Sequence, residues 1–217
     1  MRGQPGVVLA LAAIIFAVYL VEALSPALRN ALIDALAVIP ARYEAGPGGY
    51  HSPIAALAPI FGHAFLHDAP WPIHVLMNLA VYLQVSGLLF SRFAETGGGA
   101  WRFLVFFFGS AAASAIAYIL INPGSDLPAV GASGAICGLF AGYLMGARRN
   151  WRQAVRDPAI QSMGFWFLFI NVGLAAVARM TGFLPIAWEA HLGGFLGGLV
   201  LFPLLAPRRA SFAGPWG

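Results

Sequence analysis

The chain has 217 residues, of which 60% are hydrophobic and 9% are charged, and its formal net charge is +4. Its mean hydropathy of +0.79 is far above that of a soluble domain of this length. The composition therefore excludes a soluble globular protein and predicts an all-α, polytopic membrane protein.

Apolar runs suited to crossing a bilayer recur along the chain. A helix needs about 20 apolar residues to cross a hydrocarbon core of about 30 Å. The runs predict six spans in a single domain covering residues 1–217: Val7–Leu24, His74–Phe90, Phe103–Ile121, Ser133–Gly146, Met163–Met180 and Ala187–Leu205. The first run is too long for the apolar core of a signal peptide, and we interpret it as a retained helix.

The arginines predict the orientation of these spans. All 12 basic residues are arginine. Most of them lie in alternate connections: Arg2, Arg92, Arg102, Arg148, Arg149, Arg152, Arg156, Arg208 and Arg209. By the positive-inside rule, those connections and both termini are cytoplasmic. The pI of 9.7 follows from this asymmetry, and we infer no nucleic-acid partner from it.

The longest connection, Ser25–Trp71, lies on the opposite, outer side. Polar and apolar residues alternate at helical spacing over Ser25–Ile39, and Pro40 ends that helix. A second apolar piece, Ile54–Leu66, follows Pro53, contains Pro59 and is too short to span. We expect this piece to lie in the interface or to re-enter the membrane.

The fourth run is too short to cross the bilayer completely. A helix from Ser133 to Gly146 is about 21 Å long, whereas the hydrocarbon core is about 30 Å thick. The arginines that follow Gly146 hold that end at the cytoplasmic surface, so Ser133 is expected to be recessed from the outer face. Serine is also a common helix cap, and this alternative is open when the position is taken alone.

Three further polar residues lie near the outer ends of spans. Unsatisfied polar groups in hydrocarbon cost several kcal/mol, which makes such residues functional candidates. His74 and Asn78 are four positions apart and project from one helix face, and His191 begins the last span. Polar residues also hold membrane helices together without taking part in chemistry, and this alternative is open for each of the three.

Glycines recur every fourth residue in the fourth and sixth spans. Gly134, Gly138, Gly142 and Gly146 form one row, and Gly194 and Gly198 form the other. Such rows let two backbones approach closely. If the rows pack together, the Ser133 hydroxyl and the His191 imidazole come within about 3 Å, the reach that a general base needs. Gly98, in the turn between the second and third spans, is expected to tolerate a side chain.

Taken together, these residues resemble the rhomboid family of intramembrane serine proteases, and the resemblance covers all six spans. It rests on three motifs: Gly131-Ala132-Ser133-Gly134, His74-x-x-x-Asn78, and Ala190-His191-x-x-Gly194-x-x-x-Gly198. A lone Gly-x-Ser-Gly would be a weak signal. The joint occurrence of the three motifs, in order and on one side, is a strong one.

The resemblance implies a six-helix bundle with a short fourth helix and a Ser133–His191 catalytic dyad. It also implies an oxyanion site formed by the Ser133 backbone N–H and the side chains of His74 and Asn78. Gly131, Gly134, Gly138, Gly194 and Gly198 are expected to support the packing of the helices around the dyad. The implied substrates are transmembrane proteins, cut near the outer interface. We predict no cofactor, and the partners are those substrates and the lipid bilayer.

Two positions depart from the family pattern. Cys137 stands where family members often have an aromatic residue on which the histidine rests. The outer connection also lacks the Trp-Arg pair that is common in the family. His63 and His67 have a spacing that would suit a metal, but without a carboxylate partner we predict no metal site. Glu189 is two positions from His191 and so points elsewhere on a helix.

Two other functions are alternatives to that of a protease. An inactive rhomboid-like protein would keep the fold and bind the membrane helices of client proteins, although the retained Ser133 and His191 favour a protease. A transporter is disfavoured because no acidic residue lies mid-span and the two halves do not repeat. The absence of lysine and the abundance of alanine favour a bacterial plasma membrane.

The predicted orientation can be tested with a reporter that is active only in the cytoplasm. Fused after Trp216, the reporter should be active, because the arginine distribution places both termini inside. The same reporter inserted in the Asn122–Val130 connection should be inactive, which provides the control. An inactive fusion after Trp216 beside an active insertion would reverse the orientation and place Ser133 near the wrong face.

Overall fold

The fold is given by a computed structural model that describes residues 5–44, 46–67, 69, 71–146, 153, 156–181 and 187–207. The helices in this part of the chain are α1 (Gly6–Leu24), α2 (Pro26–Leu36), α3 (Pro53–Gly62), α4 (Ile73–Phe93), α5 (Gly99–Ile121), α6 (Ser133–Gly146), α7 (Pro158–Thr181) and α8 (Trp188–Leu205). Short 3-10 helices cover Pro40–Tyr43, His63–Phe65 and Ala94–Thr96. Several arginines on which the predicted orientation rests lie outside the described residues: Arg2, Arg148, Arg149, Arg152, Arg208 and Arg209.

Four of these helices, α1, α4, α5 and α8, are long and apolar enough to cross a membrane. Only 33–39% of the most apolar stretch of each is buried within the protein. Large apolar side chains such as Leu88, Leu120 and Leu204 point outward. Exposed apolar surface of this extent needs an apolar solvent, so the chain is a multi-pass membrane protein. The helices α6 and α7 coincide with two further predicted spans, and the count of six stays a prediction.

The ends of the helices differ from the ends of the apolar runs. The helix α4 continues to Phe93, α5 begins at Gly99, and α7 begins at Pro158, each beyond its predicted run. Polar residues such as Arg92 and Arg102 close an apolar run but do not interrupt helical hydrogen bonding. The bounds of α6 are those predicted.

The short helix α6 lies at the centre of the bundle. It packs against α4, α5 and α8, and most of its side chains are buried. A helix that is apolar on every face is suited to this position, since it has no polar face to turn outward. The first residue of α6 is Ser133, which is therefore held at the end of the most enclosed helix.

Gly134, Gly138, Gly194 and Gly198 lie where α6 meets α8, whereas Gly142 faces side chains of α4 and α5. A Cβ added to Gly194 would overlap the carbonyl oxygen of Gly134, and one added to Gly198 would overlap that of Gly138. On the α5 side, Cβ atoms on Gly134 and Gly138 would collide with serine side chains. The backbones of α6 and α8 are thus in direct contact, and only glycine permits this approach.

The outer connection reaches the loop that leads into α6. Ser25 and Ser52 cap α2 and α3, since each hydroxyl accepts a hydrogen bond from a backbone N–H three residues on. Val38 and Ala129 exchange two backbone hydrogen bonds of 3.1 and 2.9 Å. These bonds tie the connection to the entrance of α6.

The prediction that Gly98 tolerates a side chain is wrong. Its φ of +67° is left-handed, and a Cβ there would overlap the indole of Trp101. This glycine precedes α5 and is required by the backbone of the turn.

The α6–α8 contact generates a prediction about stability. Gly194→Val should destabilise the protein by about 3 kcal/mol or more, because the new side chain must push two backbones apart. The matched control is Gly164→Val on α7, where a Cβ would meet nothing within 4 Å. Thermal unfolding of both variants in detergent measures the difference. Equal stability would mean that α6 and α8 do not meet through Gly194.

Candidate active site

The side chains of Ser133 and His191 meet where α6 and α8 begin. The Oγ of Ser133 lies 2.8 Å from the Nε2 of His191. Ser133 is the first residue of α6, and His191 lies in the first turn of α8. Because the glycine rows hold these two helices together, a hydroxyl and an imidazole separated by 58 positions come within hydrogen-bond distance. Both residues are half-buried.

The other ring nitrogen of His191 contacts an asparagine on α7. The Nδ1 of His191 lies 2.6 Å from the Oδ1 of Asn171, whose Nδ2 donates a 2.7 Å hydrogen bond to the carbonyl oxygen of Phe167. The sequence analysis did not single out Asn171. The available signal was a lone amide within an apolar run, and such groups in membrane spans are candidates for function.

His74 and Asn78 line the loop in front of α6. A Cβ on Gly131 would lie 2.9 Å from the Nε2 of His74 and 3.7 Å from the Nδ2 of Asn78. Gly131 has a φ of +116°, a conformation that only glycine adopts readily. The sequence groups Gly131 with the packing glycines. In the structure it lies outside the α6–α8 contact and leaves room for the two polar side chains instead.

The hydrogen bonds of His74 restrict what its ring can donate. Its Nδ1 lies 3.2 Å from the carbonyl oxygen of His67, and a carbonyl only accepts, so Nδ1 carries a proton. Donation from Nε2 as well requires the doubly protonated ring. Asn78, by contrast, has a buried Nδ2 with no hydrogen-bond partner among the described residues. Its amide is a donor in every protonation state.

His63 and His67 each form a hydrogen bond with a backbone carbonyl oxygen. The Nδ1 of His63 donates to Pro59, and that of His67 donates to Phe65. The Nε2 of His67 accepts a long 3.5 Å hydrogen bond from the backbone N–H of Ala132. Burial lowers the pKa of His67 to about 4, with the neighbouring His74 a smaller cause, so the ring is neutral and can accept this bond.

The backbone of His67 is held by a buried acid that the sequence analysis did not single out. The Oε2 of Glu22, on α1, accepts a 2.9 Å hydrogen bond from the N–H of His67. Glu22 is only 1% exposed. Together with the bond from Gly131 N–H to His63 O, at 2.9 Å, this contact braces the loop that ends at Ser133.

Cys137 lies one turn after Ser133, in a small apolar cluster. The cluster includes Phe195 of α8 and, at its edge, Phe167 of α7. These two rings are stacked, with centroids 4.6 Å apart and an interplanar angle of 19°. The stack lies one helical turn from both His191 and Asn171. Cys137, which stands where the family resemblance implies an aromatic residue, is thus clustered with aromatic rings from two other helices.

A known protein family matches most of the chain. Residues 55–208 match the family model described as the Rhomboid domain, which is more than half of the chain. The match begins within α3 and includes every residue of the candidate active site described in this subsection except Glu22. None of the curated proteins compared with the chain matches it.

Proposed function

Because the chain belongs to the rhomboid family, we propose that it is an intramembrane serine endopeptidase in which Ser133 is the nucleophile and His191 the general base. The observation that carries this proposal is the 2.8 Å contact between the Ser133 Oγ and the His191 Nε2. This separation lies within the reach of proton transfer, and it joins the two residues that the family resemblance assigns to the chemistry.

The proposed reaction is acyl transfer. The Nε2 of His191 takes the hydroxyl proton as the Ser133 oxygen attacks the scissile carbonyl, and a tetrahedral intermediate forms. The protonated ring then gives its proton to the leaving amine, which breaks the peptide bond and leaves an acyl-enzyme. Water, activated by the same imidazole, hydrolyses the ester and restores Ser133.

The negative charge on the carbonyl oxygen needs stabilisation in a medium with little water. The N-terminus of α6, including the Ser133 N–H, offers the positive end of a helix dipole. The buried Nδ2 of Asn78 adds a neutral donor beside Gly131. His74 contributes a second side-chain donor only in its doubly protonated form. We therefore assign Asn78 the larger role at neutral pH.

The proposed substrates are transmembrane proteins, cut near the outer interface. A six-span topology with both termini in the cytoplasm would place Ser133 below the outer surface, because α6 is about 21 Å long. A bacterial plasma membrane is the proposed location. The arginine distribution and the lysine-free, alanine-rich composition support these assignments.

The second candidate function is that of an inactive rhomboid-like protein which binds the membrane helices of clients. Such a protein has no need for a hydroxyl in hydrogen-bond contact with an imidazole. The close Ser133–His191 contact therefore favours the protease. Covalent labelling by a fluorophosphonate separates the two functions, because only an activated serine reacts at an appreciable rate.

The nucleophile can be tested with Ser133→Ala. Cleavage of a panel of tagged transmembrane proteins in detergent should be abolished, whereas the thermal unfolding temperature should change little. His191→Ala should also abolish fluorophosphonate labelling of Ser133, since the base is then missing. Ser91→Ala, at an exposed position on α4, is the matched control. Undiminished turnover by Ser133→Ala would reject the assignment.

The oxyanion role can be tested with Asn78→Ala. Removing one such donor should lower kcat roughly 100-fold, or about 3 kcal/mol, with a small effect on KM. Gln84→Ala removes an exposed amide from the same helix and should leave kcat unchanged. A normal kcat in folded Asn78→Ala would show that this amide does not face the developing charge.

A further inference from the structure

We infer that Asn171 is a positioning residue of the site, which fixes the tautomer and orientation of His191 and makes its Nε2 the nitrogen that accepts the serine proton. The inference rests on the proposed roles of Ser133 and His191. It extends the dyad to a Ser133–His191–Asn171 relay built from α6, α8 and α7.

The direction of the relay follows from its last acceptor. The backbone carbonyl of Phe167 can only accept, so the group of Asn171 that lies 2.7 Å from it is the NH₂ group. The other end of the amide, Oδ1, then faces the Nδ1 of His191 at 2.6 Å. Because this oxygen also only accepts, Nδ1 carries the proton.

The proton on Nδ1 determines the chemistry at the opposite side of the ring. A neutral imidazole has one N–H, so Nε2 presents its lone pair to the Ser133 hydroxyl 2.8 Å away. In the other tautomer, Nε2 would be a donor and could not take the serine proton. The hydrogen bond that the Nδ1–H of His191 donates to Asn171 thus selects the tautomer that can act as a base.

The position of Asn171 is maintained by packing as well as by hydrogen bonds. Phe167 precedes Asn171 by one turn of α7, and Phe195 follows His191 by one turn of α8. Their stacked rings hold the two helices in the register that aligns amide and imidazole.

An amide suits this role in a membrane. A carboxylate as third member would carry a negative charge that the neutral, resting imidazole does not balance. An unbalanced charge is costly in a poorly hydrated site. The amide oxygen orients the ring without carrying charge. One N–H of its NH₂ group donates to the Phe167 carbonyl oxygen within the same helix, so that donor does not face hydrocarbon without a partner.

The rate of Ser133 labelling by a fluorophosphonate tests the inference. Asn171→Leu has a similar size but no acceptor, and it should lower the maximal labelling rate on the order of 100-fold while changing the half-saturating probe concentration little. Asn171→Asp, which keeps an acceptor oxygen, should retain a rate within tenfold of wild type. An unchanged maximal rate in folded Asn171→Leu would overturn the inference, as would equal losses in the Leu and Asp variants.

The matched control is Asn122→Leu. Asn122 makes the same hydrogen bond, from its Nδ2 to the carbonyl oxygen four residues earlier, at the end of α5. Its loss should leave labelling unchanged. A loss equal to that of Asn171→Leu would indicate that breaking this type of bond disturbs the whole fold, and would contradict a specific role for Asn171.

The tautomer itself can be observed without any turnover. In protein labelled with ¹⁵N-histidine, at a pH where the ring is neutral, the His191 resonances, assigned with His191→Gln, should report the Nδ1–H form. In Asn171→Leu they should shift toward a mixture of both forms. An Nε2–H ring in the wild type would overturn the inference. Because this measurement needs no reactive serine, absent cleavage with an Nδ1–H ring would reject the protease alone.

Discussion

The close approach of the α6 and α8 backbones is the contact on which the rest of the site depends. Ser133 and His191 open two helices that are distant in sequence, and their side chains meet because Gly194 lies against the Gly134 carbonyl. A Cβ on Gly194 would overlap that carbonyl oxygen, so any side chain at this point would force the two helices apart. The glycine rows thus act at the level of packing, while their consequence appears in the chemistry of the first turn of each helix.

Several polar groups near this contact form hydrogen bonds with one another in a region where water is scarce. The amide of Asn171 is bonded to His191 and Phe167, and His67 is held through Glu22 and Ala132. Each bond removes a donor or acceptor that would otherwise be costly in hydrocarbon. The same bonds restrict the rings, so the network that makes these groups tolerable also orients them. Stability and preorganisation have one physical origin here.

The rings of His191 and His74 are oriented differently by their hydrogen-bond partners. His191 donates from Nδ1 to an amide oxygen, and its Nε2 is left to accept from Ser133. His74 donates from Nδ1 to a backbone carbonyl, and its Nε2 faces the loop at Gly131. A lone pair is useful where a proton must be taken and unhelpful where negative charge develops. This contrast is why a neutral donor, Asn78, is assigned the main oxyanion role.

Local patterns in the sequence determined the membrane class and the bounds of α6, because hydropathy and motif spacing are properties of neighbouring positions. The same patterns singled out Ser133, His191, His74 and Asn78 as candidate site residues. The helix ends beyond Arg92 and Arg102 were less predictable, since polar residues can continue a helix beyond the apolar core. Only the tertiary structure revealed that Asn171 meets His191 and that Glu22 meets His67, 20 and 45 positions apart. Such pairs depend on how each helix is rotated about its axis and on which face its neighbours cover. Those rotations are decided by the packing of the whole bundle, and no single stretch of sequence encodes them.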